Sequence, residues 1–269
     1  MTITASQVNE LREKTGVGLM DCKKVLVETD GNIEDAIKKL REKGLAKASK
    51  KSGRSTNEGQ IFIKESDNSA VILELNCETD FVANNDQFKE CGINLCQLIL
   101  EKKINTLEEL KSLTVSGKTY ADFMSEYVMK LGENISVKQF KPLTNQEYLS
   151  SYIHMNGKIG VIVSFNKSID NETAKSIAMH IAATNPAYLS PKDVDPTELD
   201  NEKEIIKKQA LQEGKPEAII EKITEGRINK YYKEVCLIEQ AYIKDDKLSV
   251  KQVLGNGEEI TKFIRFSLS

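Results

Sequence analysis

Residues 59–83 read GQIFIKESDNSAVILELNCETDFVA, and this stretch decides the fold class. Apolar residues alternate with others on both sides of Asp67-Asn68, a pattern that is typical of two strands joined by a turn. The second strand continues into Thr79–Ala83, where an acid stands beside a large aromatic residue. Apolar positions from Phe88 to Ile99 then recur at helical spacing. The stretch therefore predicts a β-hairpin, a short loop and a helix.

The same order of elements occurs again from residue 148. Tyr148–Met155 and Lys158–Phe165 are strand-like and are joined by Asn156-Gly157, two residue types that tolerate positive φ. A helix with apolar spacing from Ala174 to Ile181 follows. Two such rounds predict an α+β fold with two pseudo-repeated subdomains, each a small antiparallel sheet covered by helices.

Residues 1–43 predict a bundle of three short helices. Thr4 and Gln7 have the spacing of a capping box, and Asn32 is a good N-cap for the third helix. Gly44 is expected to end that helix. We therefore expect residues 44–58 to form a basic linker.

The basic segment has two interpretations that the sequence leaves open. Residues 41–54 hold one acid, Glu42, and six cations: Arg41, Lys43, Lys47, Lys50, Lys51 and Arg54. The segment is either a solvated helix tail or a contact for nucleic-acid phosphates, because clustered cations release phosphate counterions.

The remaining chain completes the predicted division into domains. Residues 59–142 form the first core subdomain and residues 143–269 the second. Within the second, residues 197–234 predict a helical hairpin that projects from the body, because they are highly charged and carry only a thin apolar stripe. Closing strands are expected at residues 237–243 and 260–268.

Composition excludes several classes of protein. The chain has 38 Lys plus Arg against 41 Asp plus Glu, a net charge of -3, which disfavours a chain-wide nucleic-acid binder. No stretch approaches the ~20 apolar residues of a membrane span, and residues 1–12 lack the apolar region of a signal peptide. We therefore expect a cytoplasmic protein without a membrane partner.

Candidate chemical groups are sparse. Five cysteines without a CxxC pair and two histidines give no metal-ligand spacing, so neither a metal nor a cofactor is expected. Buried, reduced thiols are the simplest interpretation. A Cys-dependent enzyme that pairs Cys77 with His154 remains an alternative.

The segment Thr79–Ala83 also has two interpretations. Thr79 or Asp80 caps a helix while Phe81 lies in the core, which would be an ordinary helix start. Alternatively, Asp80 and Phe81 are presented to a partner.

Seven segments occur in the order that is typical of one family. They are Leu11–Lys24, Asn76–Ala83, Gly132–Ile135, His154 with Gly157–Val161, Met179–Ala183, Glu213–Pro216 and Glu225–Arg227. On these segments the chain resembles the bacterial elongation factor Ts family, the guanine-nucleotide exchange factors of elongation factor Tu. Some members carry a further C-terminal helical module that contacts Tu, and that contact is not expected here.

The resemblance implies a fold and a function. Residues 1–43 resemble a ubiquitin-associated-type bundle that docks on the G domain of Tu, and residues 197–234 resemble a coiled-coil protrusion that serves a homodimer or a Ts2Tu2 assembly. The implied function is to bind Tu·GDP, displace Mg²⁺, promote GDP release and stabilise nucleotide-free Tu until GTP binds. It involves no bond chemistry, no cofactor and no direct contact with nucleic acid.

The resemblance also implies site residues. The loop that contacts Tu and dislocates Mg²⁺ comprises Thr79, Asp80, Phe81, Val82 and Ala83. Phe81 would wedge between two helices of the G domain, and Asp80 would rearrange the phosphate and metal network. Further candidate contacts with Tu are Leu19, Met20, His154 and Gly157.

Overall fold

A computed structural model describes residues 3–255 and 257–268. These residues are 54% helical and 23% strand, which confirms the α+β class. They form two compact units. The first comprises the described parts of 1–144, 155–160 and 266–269, and the second comprises those of 145–154 and 161–265. No helix among the described residues is long and apolar enough to cross a lipid bilayer.

The elements up to residue 143 belong to the first unit. In chain order they are α1 (Ala5–Thr15), α2 (Leu19–Glu28), α3 (Ile33–Lys51), β1 (Glu58–Ser66), β2 (Ser69–Cys77), α4 (Asp80–Ala83), α5 (Asp86–Lys102), α6 (Leu107–Ser112), β3 (Thr114–Val115), β4 (Lys118–Thr119), α7 (Tyr120–Leu131) and β5 (Ser136–Leu143).

The remaining elements begin at residue 148. They are β6 (Tyr148–His154), β7 (Ile159–Phe165), α8 (Asn171–Thr184), α9 (Pro196–Gln212), α10 (Glu217–Val235), β8 (Ala241–Tyr242), β9 (Asp245–Ser249), α11 (Val250–Val253) and β10 (Ile260–Ser267), with 3₁₀ turns at Met155–Gly157, Pro191–Asp193 and Leu237–Glu239.

The N-terminal bundle follows its local sequence signals. Thr4 and Gln7 form the predicted capping box, and α1 ends at Gly16, whose φ is 68°. Asn32 caps α3 by accepting a hydrogen bond from the Asp35 amide. The three helices enclose a small core centred on Leu11 and Leu26, both fully buried.

The prediction that α3 ends at Gly44 is wrong. The helix continues to Lys51, so the first half of the predicted linker is helical. Gly44 lies where α3 crosses α7, and a Cβ there would be 2.9 Å from the Cγ of Met129. The glycine therefore permits close helix packing instead of capping. Arg41 ties the same two helices together, because its Nε donates to Asp122 Oδ1 at 2.8 Å.

The first sheet has the strand order β1-β2-β5. Its hairpin turns at Asp67, whose φ is 46°, as the turn signal predicts. Helix α5 packs on β1 and β2, and its apolar residues share one core with Phe62 and Leu73. Gly92 of α5 lies against the Phe62 ring, which a Cβ would approach to 2.5 Å.

The second sheet has the strand order β10-β7-β6, and α8 packs on β6. The connection from β6 to β7 has positive φ at Met155, Asn156 and Gly157, so the predicted Asn-Gly turn is present with one additional left-handed residue. Strand β10 (Ile260–Ser267) confirms the expected closing strand, which ends one residue before the predicted limit at Leu268.

The strand predicted at 237–243 is mostly wrong. A 3₁₀ turn at Leu237–Glu239 precedes the two-residue strand β8. The backbone turns because Leu237 N donates to Tyr188 O at 2.8 Å, and because the Gln240 side chain is directed to His180 and to the Glu234 carbonyl.

Helices α9 and α10 confirm the predicted helical hairpin. Arg227 forms an ion pair with Glu213 beside the connection, at 2.8 Å. At the other end, Glu198 accepts hydrogen bonds from the hydroxyls of Tyr188 and Tyr231. Polar contacts thus hold the pair together at both ends.

His180 is the buried one of the two histidines. Its Nδ1 accepts from the Ile243 amide at 3.2 Å, so the ring is neutral with its proton on Nε2, which lies 3.0 Å from Gln240 Oε1. Burial lowers the pKa of His180.

We predict that Gly92→Ala destabilises the protein by about 1–3 kcal/mol, because an added methyl group overpacks the contact with Phe62. Gly226→Ala is the matched control, since Gly226 is also within a helix but a Cβ added there would have no atom within 4 Å. The control should be neutral or stabilising by up to about 1 kcal/mol. Thermal unfolding measures both, and equal melting temperatures would contradict the prediction.

We predict that acidification destabilises the protein through His180. Because its folded pKa is lowered, the unfolded state binds the additional proton, and stability is lost as pH falls through the ordinary histidine pKa of about 6.5. Denaturant titrations at several pH values should show a smaller pH dependence for His180→Gln. The exposed His154 supplies the control variant His154→Gln, and a pH dependence that disappears in the control instead would refute the assignment.

Candidate functional site

The segment Thr79–Ala83 is anchored at three of its five positions. Thr79 caps α4, since its hydroxyl oxygen accepts from the Val82 amide at 3.4 Å. Ala83 is buried, and Val82 packs half-buried against the core of the first sheet. The one-turn helix is therefore attached to the first unit on one side.

Asp80 and Phe81 lie on the free side of that turn. The Phe81 side chain is 85% exposed, more than any other large apolar residue among those described. The interpretation with Phe81 in the core is wrong, although its other half, capping by Thr79, is right. Within residues 3–255 and 257–268, the Asp80 carboxylate has no hydrogen-bond or ion-pair partner, because Thr79 does the capping.

Glu133 holds the start of the loop. Its Oε2 accepts from the amides of Glu78 and Thr79, both at 3.0 Å, and its Oε1 accepts from the Thr79 hydroxyl at 2.6 Å. Sequence reasoning assigned no role to Glu133. The available signal was its place in the segment Gly132–Ile135, which marked the family resemblance.

Glu78 also binds the turn at residues 133–134. Its Oε1 accepts from the Asn134 amide at 2.7 Å, and Arg54 forms an ion pair with its Oε2 at 3.3 Å. The hydrogen bond from Asn134, together with Arg54, lowers the pKa of Glu78. Two carboxylates thus cross-link residues 78–79 to residues 133–134.

Leu19 and Met20 begin α2 and are both exposed, at 41% and 68%. A third exposed apolar residue of α2 is Val27, which is 58% exposed and lies two turns from Met20. Sequence reasoning missed Val27 because the strong apolar stripe of this helix lies on its buried face.

His154 and Gly157 differ in their exposure to solvent. His154 is an exposed residue at the end of β6, with its Nδ1 3.0 Å from the Tyr152 hydroxyl, and it borders a groove that also includes Met179 and Ile243. Gly157 is buried, its φ is 90°, and it packs on Gln60. Gly157 therefore shapes a turn and offers little surface of its own.

Residues 78–269 match the family model described as Elongation factor TS. The chain belongs to the elongation factor Ts family. Members of this family are nucleotide exchange factors for elongation factor Tu and take part in translation elongation. They act by binding and not as catalysts of bond chemistry. The match includes the whole segment Thr79–Ala83 and the turn that supports it.

Most cations of the basic segment, residues 41–54, already have a hydrogen-bond or ion-pair partner within the chain. Its cations bind Asp122 through Arg41, Glu28 through Lys43, Asp21 through Lys47, the Gly132 carbonyl through Lys51 and Glu78 through Arg54. Of the six, Lys50 is left without a partner in the described part of the chain. Five of the six cations thus already have partners within the chain, which weakens the nucleic-acid interpretation.

The five thiols are expected to have low reactivity. All five cysteines are free and buried. Burial raises the pKa of Cys77 to about 12, and its thiol donates to the Thr79 carbonyl at 3.2 Å. A thiol with this pKa is not ionised at neutral pH, so the Cys-dependent enzyme is disfavoured. The described residues contain no group of three or more His, Cys, Asp or Glu that could hold a metal ion.

We predict that the native protein resists thiol reagents. At mildly alkaline pH, Ellman's reagent should label none of the five cysteines until guanidinium chloride unfolds the chain, because burial blocks access and raises the pKa of each thiol. Absorbance gives the labelled fraction. Rapid reaction of Cys77 in the native state would reopen the Cys-dependent alternative.

Proposed function

We propose that this elongation factor Ts releases GDP by pressing the turn that carries Asp80 and Phe81 against the G domain of Tu. The observation that carries the proposal is the 85% exposed Phe81 on an anchored turn. An exposed phenylalanine supplies binding energy when a partner covers it, about 1.5–3 kcal/mol for full burial. Insertion between two helices of the G domain would provide such burial.

Asp80 would act on the charge balance around the bound GDP. Its carboxylate has no partner within the described residues, so it is free to approach the phosphate and Mg²⁺ region of Tu. A carboxylate there competes for the metal ion, and Mg²⁺ is the main counter-charge of the bound GDP. Dislocation of Mg²⁺ weakens GDP binding, while Thr79, Val82 and Ala83 hold the turn in place.

The thermodynamics require more than one contact. By linkage, a factor that prefers nucleotide-free Tu weakens GDP binding by the same ratio. A shift from 1:99 to 99:1 needs about 5.5 kcal/mol of differential affinity, which exceeds the burial of Phe81 alone. We assign the remainder to a docking patch at Leu19 and Met20 on the bundle of residues 1–43, and to His154 on the second unit.

Gly157 would contribute indirectly to this contact set. It is buried in a turn whose neighbouring residue, Met155, is 65% exposed. We infer that Gly157 shapes the turn and that Met155 supplies the apolar surface.

The helical hairpin would serve assembly. Ile205, Leu211 and Ile219 are exposed on α9 and α10, at 49%, 50% and 43%. Apolar side chains on a charged hairpin fit a homodimer or a Ts2Tu2 assembly. The proposed function also implies action in the cytoplasm, together with Tu.

We predict that Phe81→Ala slows release of fluorescent GDP from Tu by about 10- to 100-fold, the kinetic equivalent of losing the burial of one phenylalanine. Stopped-flow fluorescence measures the rate. Asp80→Asn should also slow release, because it removes the charge that competes for Mg²⁺.

Two variants control for nonspecific effects. Ile93→Ala removes another exposed apolar side chain of the first unit, and Lys50→Ala removes the unpartnered cation; both should leave GDP release unchanged. If Phe81→Ala were silent and Lys50→Ala abolished activity, the nucleic-acid interpretation would replace the proposal.

A further inference from the structure

Of the two carboxylates that cross-link residues 78–79 to residues 133–134, Glu133 is the one that contacts the capping residue of the turn that carries Phe81. Glu133 accepts three hydrogen bonds, from the amides of Glu78 and Thr79 and from the Thr79 hydroxyl. Glu133 follows Gly132, the residue that ends α7 with a φ of 77°. It lies on an element other than the loop, so it can fix the loop against the body of the first unit.

The chemistry of a carboxylate sets the direction of these bonds. An ionised carboxylate only accepts, so the Thr79 hydroxyl has to donate its proton to Glu133. The hydroxyl lone pairs then face the Val82 amide, which is the polarity that an N-cap needs. Glu133 therefore fixes which way the capping hydroxyl of α4 points.

We propose that Glu133 is a positioning residue for nucleotide exchange: through Glu78 and Thr79 it holds Asp80 and Phe81 in the pose that meets the G domain. The proposal rests on the proposed function of those two residues. In this role Glu133 acts through the loop and needs no contact of its own with GDP or Mg²⁺.

The same turn is tied to the C-terminal end of α3. The Asn134 side chain donates to the Arg54 carbonyl at 3.0 Å, Lys51 donates to the Gly132 carbonyl, and Arg54 pairs with Glu78. The third helix of the N-terminal bundle and the Phe81 loop therefore share one anchor.

The test compares Glu133→Ala and Glu133→Gln in GDP release from Tu. Glu133→Ala should lower the maximal release rate about tenfold or more, while the half-saturating concentration of Tu·GDP changes less than about threefold, because the docking surfaces remain. Glu133→Gln should lie between Glu133→Ala and the natural chain, since an amide oxygen still accepts but its NH₂ group cannot.

Glu109→Ala is the matched control. Glu109 also accepts from two backbone amides at a helix start, those of Asn105 and Thr106, but the helix it caps carries no site residue. Its loss removes the carboxylate from a helix start in the same unit and should leave the exchange rate unchanged. An exchange defect of equal size in Glu109→Ala would overturn the proposal.

A double-mutant cycle separates positioning from general stability. In the Phe81→Ala background, Glu133→Ala should lower the rate by a smaller factor than in the natural chain, because only Asp80 remains to be positioned. Equal fold-changes in both backgrounds would show that Glu133 acts elsewhere. If Glu133→Ala does not fold, the same cycle with Glu133→Gln decides the matter.

The outcomes also distinguish the two proposals. If Phe81→Ala slows exchange and neither Glu133 variant does, the positioning role falls and the proposed function stands. If Phe81→Ala itself has no effect, the proposed function falls, and the positioning role falls with it.

Discussion

An aromatic side chain that acts on a partner has to be held firmly without being buried. In this chain one helical turn is divided between two environments, which would meet that requirement for the proposed role of Phe81. Thr79 and Ala83 attach the turn to the first unit, and Phe81 remains in solvent. The other elements of the first unit serve this division: β2 delivers the chain to the turn, and the end of α7 supplies the carboxylate that fixes it.

Local signals were sufficient for much of the fold. Hairpin alternation, the caps at Thr4 and Asn32, and the Asn156-Gly157 turn depend on neighbouring residues, so the sequence pattern predicts them correctly. Gly44 failed as a helix end because its role is a tertiary contact with Met129, which periodicity cannot show. Residues 237–243 failed for a similar reason, since Gln240 turns to satisfy the buried His180.

The candidate site also shows that a local sequence pattern does not reveal tertiary packing. The pattern Thr79–Ala83 correctly indicates an N-cap, but a cap is compatible with either a buried or an exposed Phe81, and only the packing of the turn decides. The basic segment is the opposite case. Counting its charges leaves a phosphate contact open, whereas the folded chain pairs four of the six cations with its own carboxylates, Asp21, Glu28, Glu78 and Asp122.

Polar contacts at both ends of the helical hairpin affect which of its surface positions can change. Arg227 with Glu213 and the tyrosine pair with Glu198 fasten α9 to α10 at opposite ends. The surface between these fastenings is free to accept new side chains without separating the helices. Side chains in the middle of the hairpin can therefore vary without separating α9 from α10, and the surface that the hairpin presents varies with them.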